Sequence, residues 1–263
     1  MKTLTTLLII SLFTVQCNAQ MIKKPKNMKL VPMGTFTKNS KEVKIDAFWM
    51  SDEVTNSEYR AFLESLKENP NDSIRIFNLK KIAEGINPRD AQTYYRYGDI
   101  LEGTNSNEVL DDDEGFDNYL YSKKYDNYPV VGVSFENATL YCAWKTKEQN
   151  KIQKAKGLAY VPEFRIPTEA EWEWAALGGK HESEIIYTPE LGKVNSRAKN
   201  KYGLHHLNSN VSEWVFNETE DGKRVIKGSS WKKEMTIFER IEKPKSYRDY
   251  ATGFRVVMTY LGK

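Results

Sequence analysis

Residues 164–179 read Phe-Arg-Ile-Pro-Thr-Glu-Ala-Glu-Trp-Glu-Trp-Ala-Ala-Leu-Gly-Gly, and the division of that run decides the fold class. Thr168 and Glu171 have the spacing of a capping box, in which each side chain accepts the other's backbone amide. Trp172, Ala175 and Ala176 then recur at helical spacing and face a core, and Gly178-Gly179 ends the helix. Thr55 and Glu58 repeat the device and open a helix with Tyr59, Phe62, Leu63 and Leu66 on one face. Pro129 to Ser134 reads as a strand ending at a serine N-cap. The helix that follows from Phe135 carries Ala138, Tyr141, Cys142 and Lys145 at helical spacing.

Working outward, Leu30 to Phe36 reads as a short strand and turn, and Val43 to Met50 alternates as a second strand. Tyr202 to Leu204, Asn210 to Val215, Val225 to Trp231 and Gly253 to Met258 read as further short strands and turns. Strong helices among scattered short strands define an α+β fold in one domain. The 263 residues allow one large domain or at most two small ones, and a composition 40% hydrophobic and 29% charged argues against global disorder and a polytopic membrane protein. Lysine and arginine (39) nearly balance aspartate and glutamate (36), so net charge implies no nucleic-acid partner.

The N-terminus breaks the pattern. Lys2, the apolar stretch Leu4 to Val15 and then Cys17-Asn18-Ala19 have the three parts of a secretory signal. The expected division is a signal peptide at 1–19, a short basic linker at 20–29 and one domain at 30–260. Cys17 also admits lipid attachment. On either route the chain is expected to be exported, to the periplasm or the outer membrane, and Cys142 is left as a single buried, inert thiol.

Residues 69–128 differ in texture, rich in Asn, Asp, Tyr and Gly, and read as an insertion of loops and short helices over the core. Its acidic run Asp111-Asp112-Asp113-Glu114 lacks the alternating ligands of a calcium loop and reads as solvated.

The ordered blocks VPMGTF (31–36), FWMSDEVTNSEYRAFL (48–63), YPVVGVSFENATLYCAW (128–144), FRIPTEAEWEWAALGG (164–179), YGLHHLNSNVSEWV (202–215), IKGSSW (226–231) and GFRVV (253–257) resemble the sulfatase-modifying-factor family. That is the domain of the formylglycine-generating enzymes. The resemblance implies a loop-rich fold similar to C-type lectins. It also implies an oxidase chemistry that runs on a pair of copper-binding cysteines lying between the last two blocks. In this chain that interval is Lys232 to Thr252, and it holds no cysteine.

Another branch of the family holds iron through histidines and a carboxylate. The three histidines here, His181, His205 and His206, lack that spacing, and the adjacent pair would point apart in an extended segment. The family's calcium loop falls on His206 to Trp214. Glu213 would be the carboxylate ligand, with the carbonyls of Ser209 and Val211, but His206 stands where an oxygen donor is usual. Without calcium, Glu213 would hydrogen-bond the loop backbone. No catalytic, cofactor-binding or metal-ligating residue is therefore assigned, and no cofactor is expected.

A narrower resemblance, over residues 94–146, is to cysteine-free lipoproteins of gliding motility and type IX secretion. It implies a non-catalytic scaffold or interaction protein of the cell envelope, meeting envelope or secretion-system proteins through the insertion at 69–128. Deleting 100–122 should then abolish partner binding while sparing the core. Two alternatives stay open. One is a modifier of exported proteins working through Tyr247, Arg248 and Asp249, although Arg248 beside Asp249 reads first as a fold-stabilising pair. The other is a lectin-like module binding sugars or peptides through an exposed aromatic such as Trp231, which reads first as core.

Overall fold

The computed structural model describes residues 24–68 and 118–262, with the strands at 74–77 and 92–95 described as backbone. The signal segment with Cys17, most of the insertion and the acidic run at 111–114 lie outside the described residues. In chain order the first elements are β1 (Met28–Val31), β2 (Gly34–Lys38), β3 (Lys41–Ile45), β4 (Phe48–Glu53) and α1 (Asn56–Glu68). Then come β5 (Ile74–Phe77), β6 (Gln92–Tyr95), α2 (Phe135–Ala155), β7 (Phe164–Arg165) and α3 (Glu169–Leu177). The last are β8 (Ser212–Glu218), β9 (Arg224–Lys227), β10 (Ile241–Lys243), β11 (Thr252–Gly253) and β12 (Arg255–Thr259).

Two four-stranded sheets organise the molecule, one in the order β1-β4-β12-β7 and the other β10-β9-β8-β11. β11 and β12 are separated by Phe254 alone, so the chain leaves the second sheet and enters the first across one fully buried residue. Gly253 permits that crossing, because a Cβ there would stand 2.5 Å from the carbonyl oxygen of Val130. The two faces of β8 and β9 serve different cores. Trp214 and Ile226 join the cluster built on α1 and α2, while Val215 and Val225 join the one that includes Trp172 of α3. Strand alternation alone produces this split.

Both capping boxes are present. Glu58 N–H donates to Thr55 Oγ1 at 3.2 Å while Thr55 N–H donates to Glu58 Oε2 at 3.1 Å. Thr168 and Glu171 do the same, and Gly178 closes α3 at φ 54°. Ser134 caps α2 by accepting from Asn137 N–H. The four apolar residues expected on one face of α1 are all buried.

Strand readings fare less well. Val43 to Met50 is two strands broken at Asp46-Ala47, and Leu30 to Phe36 is two strands broken at Pro32-Met33. Pro129 to Ser134 forms no continuous strand, making only single-residue bridges at Pro129, to Thr55, and at Val133. Pro129 has no N–H to give and Gly132 sits at φ 70°, so no ladder continues. Tyr202 to Leu204 is a turn.

The end of the stretch 69–128 belongs to the core. Tyr119, Leu120 and Tyr125 are buried, and Asn56 Nδ2 of α1 donates to the carbonyls of Tyr119 and Tyr125. A deletion of 100–122 would therefore remove the core side chains Tyr119 and Leu120. Further back, β5 and β6 pair as an antiparallel hairpin whose first strand lies against α2.

Candidate functional site

The interval 228–252 is built by two loops that close over one face of the second sheet. Gly228, at φ 80°, turns the chain out of β9 where a Cβ would meet the Trp172 ring at 2.7 Å. Ser229 then staples the loop, its Oγ donating to Met235 O and accepting from Met235 N–H, both at 2.8 Å. Ser230 and Lys233 exchange backbone hydrogen bonds, which puts Trp231 and Lys232 at the tip of a tight turn. The facing loop is held by Asp249. Its Oδ2 accepts from the Tyr247 hydroxyl at 2.9 Å, its Oδ1 from Ala251 N–H at 3.0 Å, and its carbonyl from Gly132 N–H at 2.8 Å.

Between the loops lies a cleft of about 330 Å³. Its floor is Ser212, Ile226, Ile241, Lys243 and Thr252, one face of the sheet. Trp231 lies at the rim, half-buried rather than in the core. Its indole N–H donates to Tyr250 O at 3.3 Å, and its ring meets the Tyr250 ring edge-on at 5.9 Å.

Chemically the cleft is quiet. Burial and the bond to Asp249 push the Tyr247 phenol up to about 12, so it stays protonated at neutral pH. Asp249 already accepts two hydrogen bonds. Cys142 is buried in α2, and although Lys145 and Arg165 pull its pKa down, burial outweighs them and pushes the thiol up to about 12. That is the behaviour of an inert thiol, although Arg165, far away in the chain, could not be read as its neighbour from the sequence.

A second polar centre lies beneath the sheets. Arg255 Nε and Nη2 donate to Glu213 Oε2 and Oε1, and its Nη1 and Nη2 also reach the carbonyls of Ser51 and His205. Trp172 Nε1 donates to Glu213 Oε2 at 2.8 Å. Glu213 thus serves side chains, not the loop backbone. Its carboxylate is saturated by a cation and an indole, so the donor set implied for calcium fails at its one carboxylate. Glu53 faces the same arginine at 3.8 Å and accepts from Asn210 Nδ2 at 3.0 Å. Burial raises its carboxyl to about 8 against the pull of Arg255.

The histidines are structural. His206 is in a left-handed turn at φ 55°, not in an extended segment. Its ring meets Ser209 Oγ and Lys193 O at 3.1 and 3.2 Å, an environment that suits a neutral Nε2–H tautomer. Burial, with Arg255 beyond, lowers its pKa to about 4. His205 pairs with Asp52 at 3.1 Å, and His181 caps the short turn at Glu182–Glu184. Among the described residues, no three His, Cys, Asp or Glu side chains are placed to hold a metal.

One cluster escaped the sequence reading entirely. Fully buried Lys227 donates to Glu173 Oε1 at 2.7 Å and to Glu169 Oε1 at 3.3 Å, and Lys38 reaches the same two oxygens. The signal was present in Glu169 and Glu173, four apart on one face of a helix that packs into the core, and in a lysine following the apolar pair Val225-Ile226.

These loops on two small sheets define a loop-rich α+β fold shared with several solved structures. Treponema denticola variable protein 1 matches with a TM-score of 0.52 at 18% identity, over 88% of this chain and 94% of its own. PvdO from Pseudomonas aeruginosa matches with a TM-score of 0.52 at 18% identity, over 88% and 93%. The family model of the sulfatase-modifying factor enzyme 1-like domain matches residues 15–198 and 190–260, and the chain belongs to that family. Among its relatives, the inactive C-alpha-formylglycine-generating enzyme 2 of Bos taurus is 29% identical over 40% of this chain and 38% of its own length. The formylglycine-generating enzyme of Bos taurus is 24% identical over 73% and 58%. The chain thus spans well under half of the first relative's length.

Proposed function

We propose that this protein is a non-catalytic, exported component of the cell envelope that works by binding other proteins, in the manner of the gliding-motility and type IX secretion lipoproteins it resembles. One observation carries the reading. The interval that holds the family's paired cysteines has none here, and it folds into a cleft whose tyrosine is protonated and whose aspartate is committed to the loop it braces. The kinship with a relative named inactive supports it. A rigid sheet that presents loops is a binding platform, and the insertion read at 69–128 is the segment we assign to the partner contact.

The test is crosslinked affinity purification of a tagged copy from its native cells. The expected result is recovery of envelope or secretion proteins, lost when 100–117 are replaced by a Gly-Ser linker while the melting temperature holds. Conversion of a sulfatase peptide's cysteine to formylglycine by the purified protein, read by mass, would overturn the proposal.

A further inference from the structure

We infer that the cleft over the second sheet is the seat of an extended acidic segment of the partner protein, an inference that rests on the binding function proposed above. Three lysines ring it, Lys232 and Lys233 from the tight turn and Lys243 from β10. This concentration is local, because the chain as a whole carries only +3. Among the described residues the one carboxylate lining the cleft, Asp249, is occupied by Tyr247 and Ala251. Glu242 alternates to the other face of β10 and pairs with Arg240 at 2.7 Å. Lys233 and Lys243 have no carboxylate partner among the described residues.

The lysines are also positioned. Lys232 Nζ stands 4.2 Å from the Trp231 ring centre and 5.5 Å from that of Tyr250, and Lys243 Nζ stands 4.5 Å from that of Tyr247. A cation over a ring face is held in place without losing its attraction for an anion. Such a site attracts anions.

The floor and rim select an extended peptide among anions. Ile241 and the exposed ring of Tyr250 offer apolar contact beside the charges, which suits side chains alternating between acidic and aliphatic. β10 ends the sheet order, so among the described residues one of its edges lacks a strand partner, and Ile241 and Lys243 of that strand line the cleft. An added strand on that edge would gain main-chain hydrogen bonds there and place alternate side chains over the floor.

The test uses a labelled peptide of alternating glutamate and valine, with a glutamine-valine control, on the full-length protein. The glutamate peptide should bind about tenfold tighter than the control and weaken as salt rises from about 0.05 to about 0.3 M. The double variant Lys233→Glu, Lys243→Glu should lose about tenfold of that binding with an unchanged circular dichroism spectrum and melting temperature. Equal binding of the glutamine peptide, unchanged binding by a folded double variant, or tighter binding of polygalacturonate than of the peptide would each overturn the assignment. The double variant is then used in the crosslinked purification. Undiminished capture of the wild-type partners would sink the cleft and leave the binding function standing, whereas capture of nothing by the wild type would sink the binding function itself.

Discussion

Arg255 and Glu213 meet through two parallel charge-assisted hydrogen bonds, Nε to Oε2 and Nη2 to Oε1, each 2.6 Å, with both side chains fully buried. Each belongs to a different sheet, so this pair ties β12 to β8 side by side with the covalent crossing at Phe254. Removing one member of such a pair leaves a buried charge without its counterpart. Glu213→Gln should cost about 3–5 kcal/mol in chemical denaturation; a loss of less than about 1 kcal/mol would show that the pair does not hold the sheets together.

The same commitment of Glu213 predicts how the protein meets calcium. Millimolar calcium should leave the melting temperature where EDTA leaves it, because the one carboxylate of that loop is already held by Arg255 and Trp172. A calcium-dependent rise of several degrees would mean that a cation displaces the arginine.

Acid–base behaviour follows from two buried groups that act in opposite directions. Glu53 has its carboxyl raised from the ordinary 4.5 to about 8, chiefly by burial, so the folded protein binds the extra proton between those values. Stability is then fully present at low pH and falls as pH rises through the window. His206, lowered from 6.5 to about 4 by burial, sheds a proton on folding, and its contribution is lost as pH falls from 6.5 to 4. Between pH 6.5 and 8 only the glutamate term of this pair operates. The wild type should lose on the order of 1–2 kcal/mol across that span, and Glu53→Gln should flatten the loss in denaturant titrations.

In the acid range the histidine is the group to change. His206→Asn keeps a side chain tolerated at φ 55° and removes the titration. Relative to the wild type it should gain stability as pH falls from 6.5 to 4, because only the Glu53 contribution, which grows down to about pH 4.5, is left of the pair. An unaltered slope would place the acid lability elsewhere.

Local devices are the cheapest to check. Thr168→Ala removes one half of the capping box on α3 and should cost about 1 kcal/mol. Gly253→Ala should cost more, about 2 kcal/mol or above, since its methyl group would meet backbone, the Val130 carbonyl at 2.5 Å, and not a side chain able to turn away.

The helices were legible because their signals are local. Thr55, Ser134 and Thr168 cap from within three residues, and the apolar stripes that follow need no knowledge of the rest of the chain. The strands were legible in part: Asn210 to Val215, Val225 to Trp231 and Gly253 to Met258 contain β8, β9 and β12, but their bounds and the breaks inside others were not, because strands of two to seven residues are defined by partners far away, as β12 is by β4 and β7. Pro129 to Ser134 has the apolar composition of a strand, yet its backbone is spent on loops, Val130 N–H on Val54 and Gly132 N–H on Asp249. The missing cysteines could be read directly from Lys232 to Thr252. The lysine-rimmed cleft could not, for it exists only when the register of β9 and β10 sets Ile241 opposite Ile226 and brings Lys243 round to face the turn at Lys232.

The passage from β11 to β12 through Phe254 also fixes how the molecule answers a pull. Tension on a segment seated over the second sheet would enter β11, whose short pairing runs parallel to β8, and pass across a single residue into the middle of the first sheet. There is no slack linker to pay out along that line. Along that line the fold would yield by breaking strand pairs, not by paying out chain.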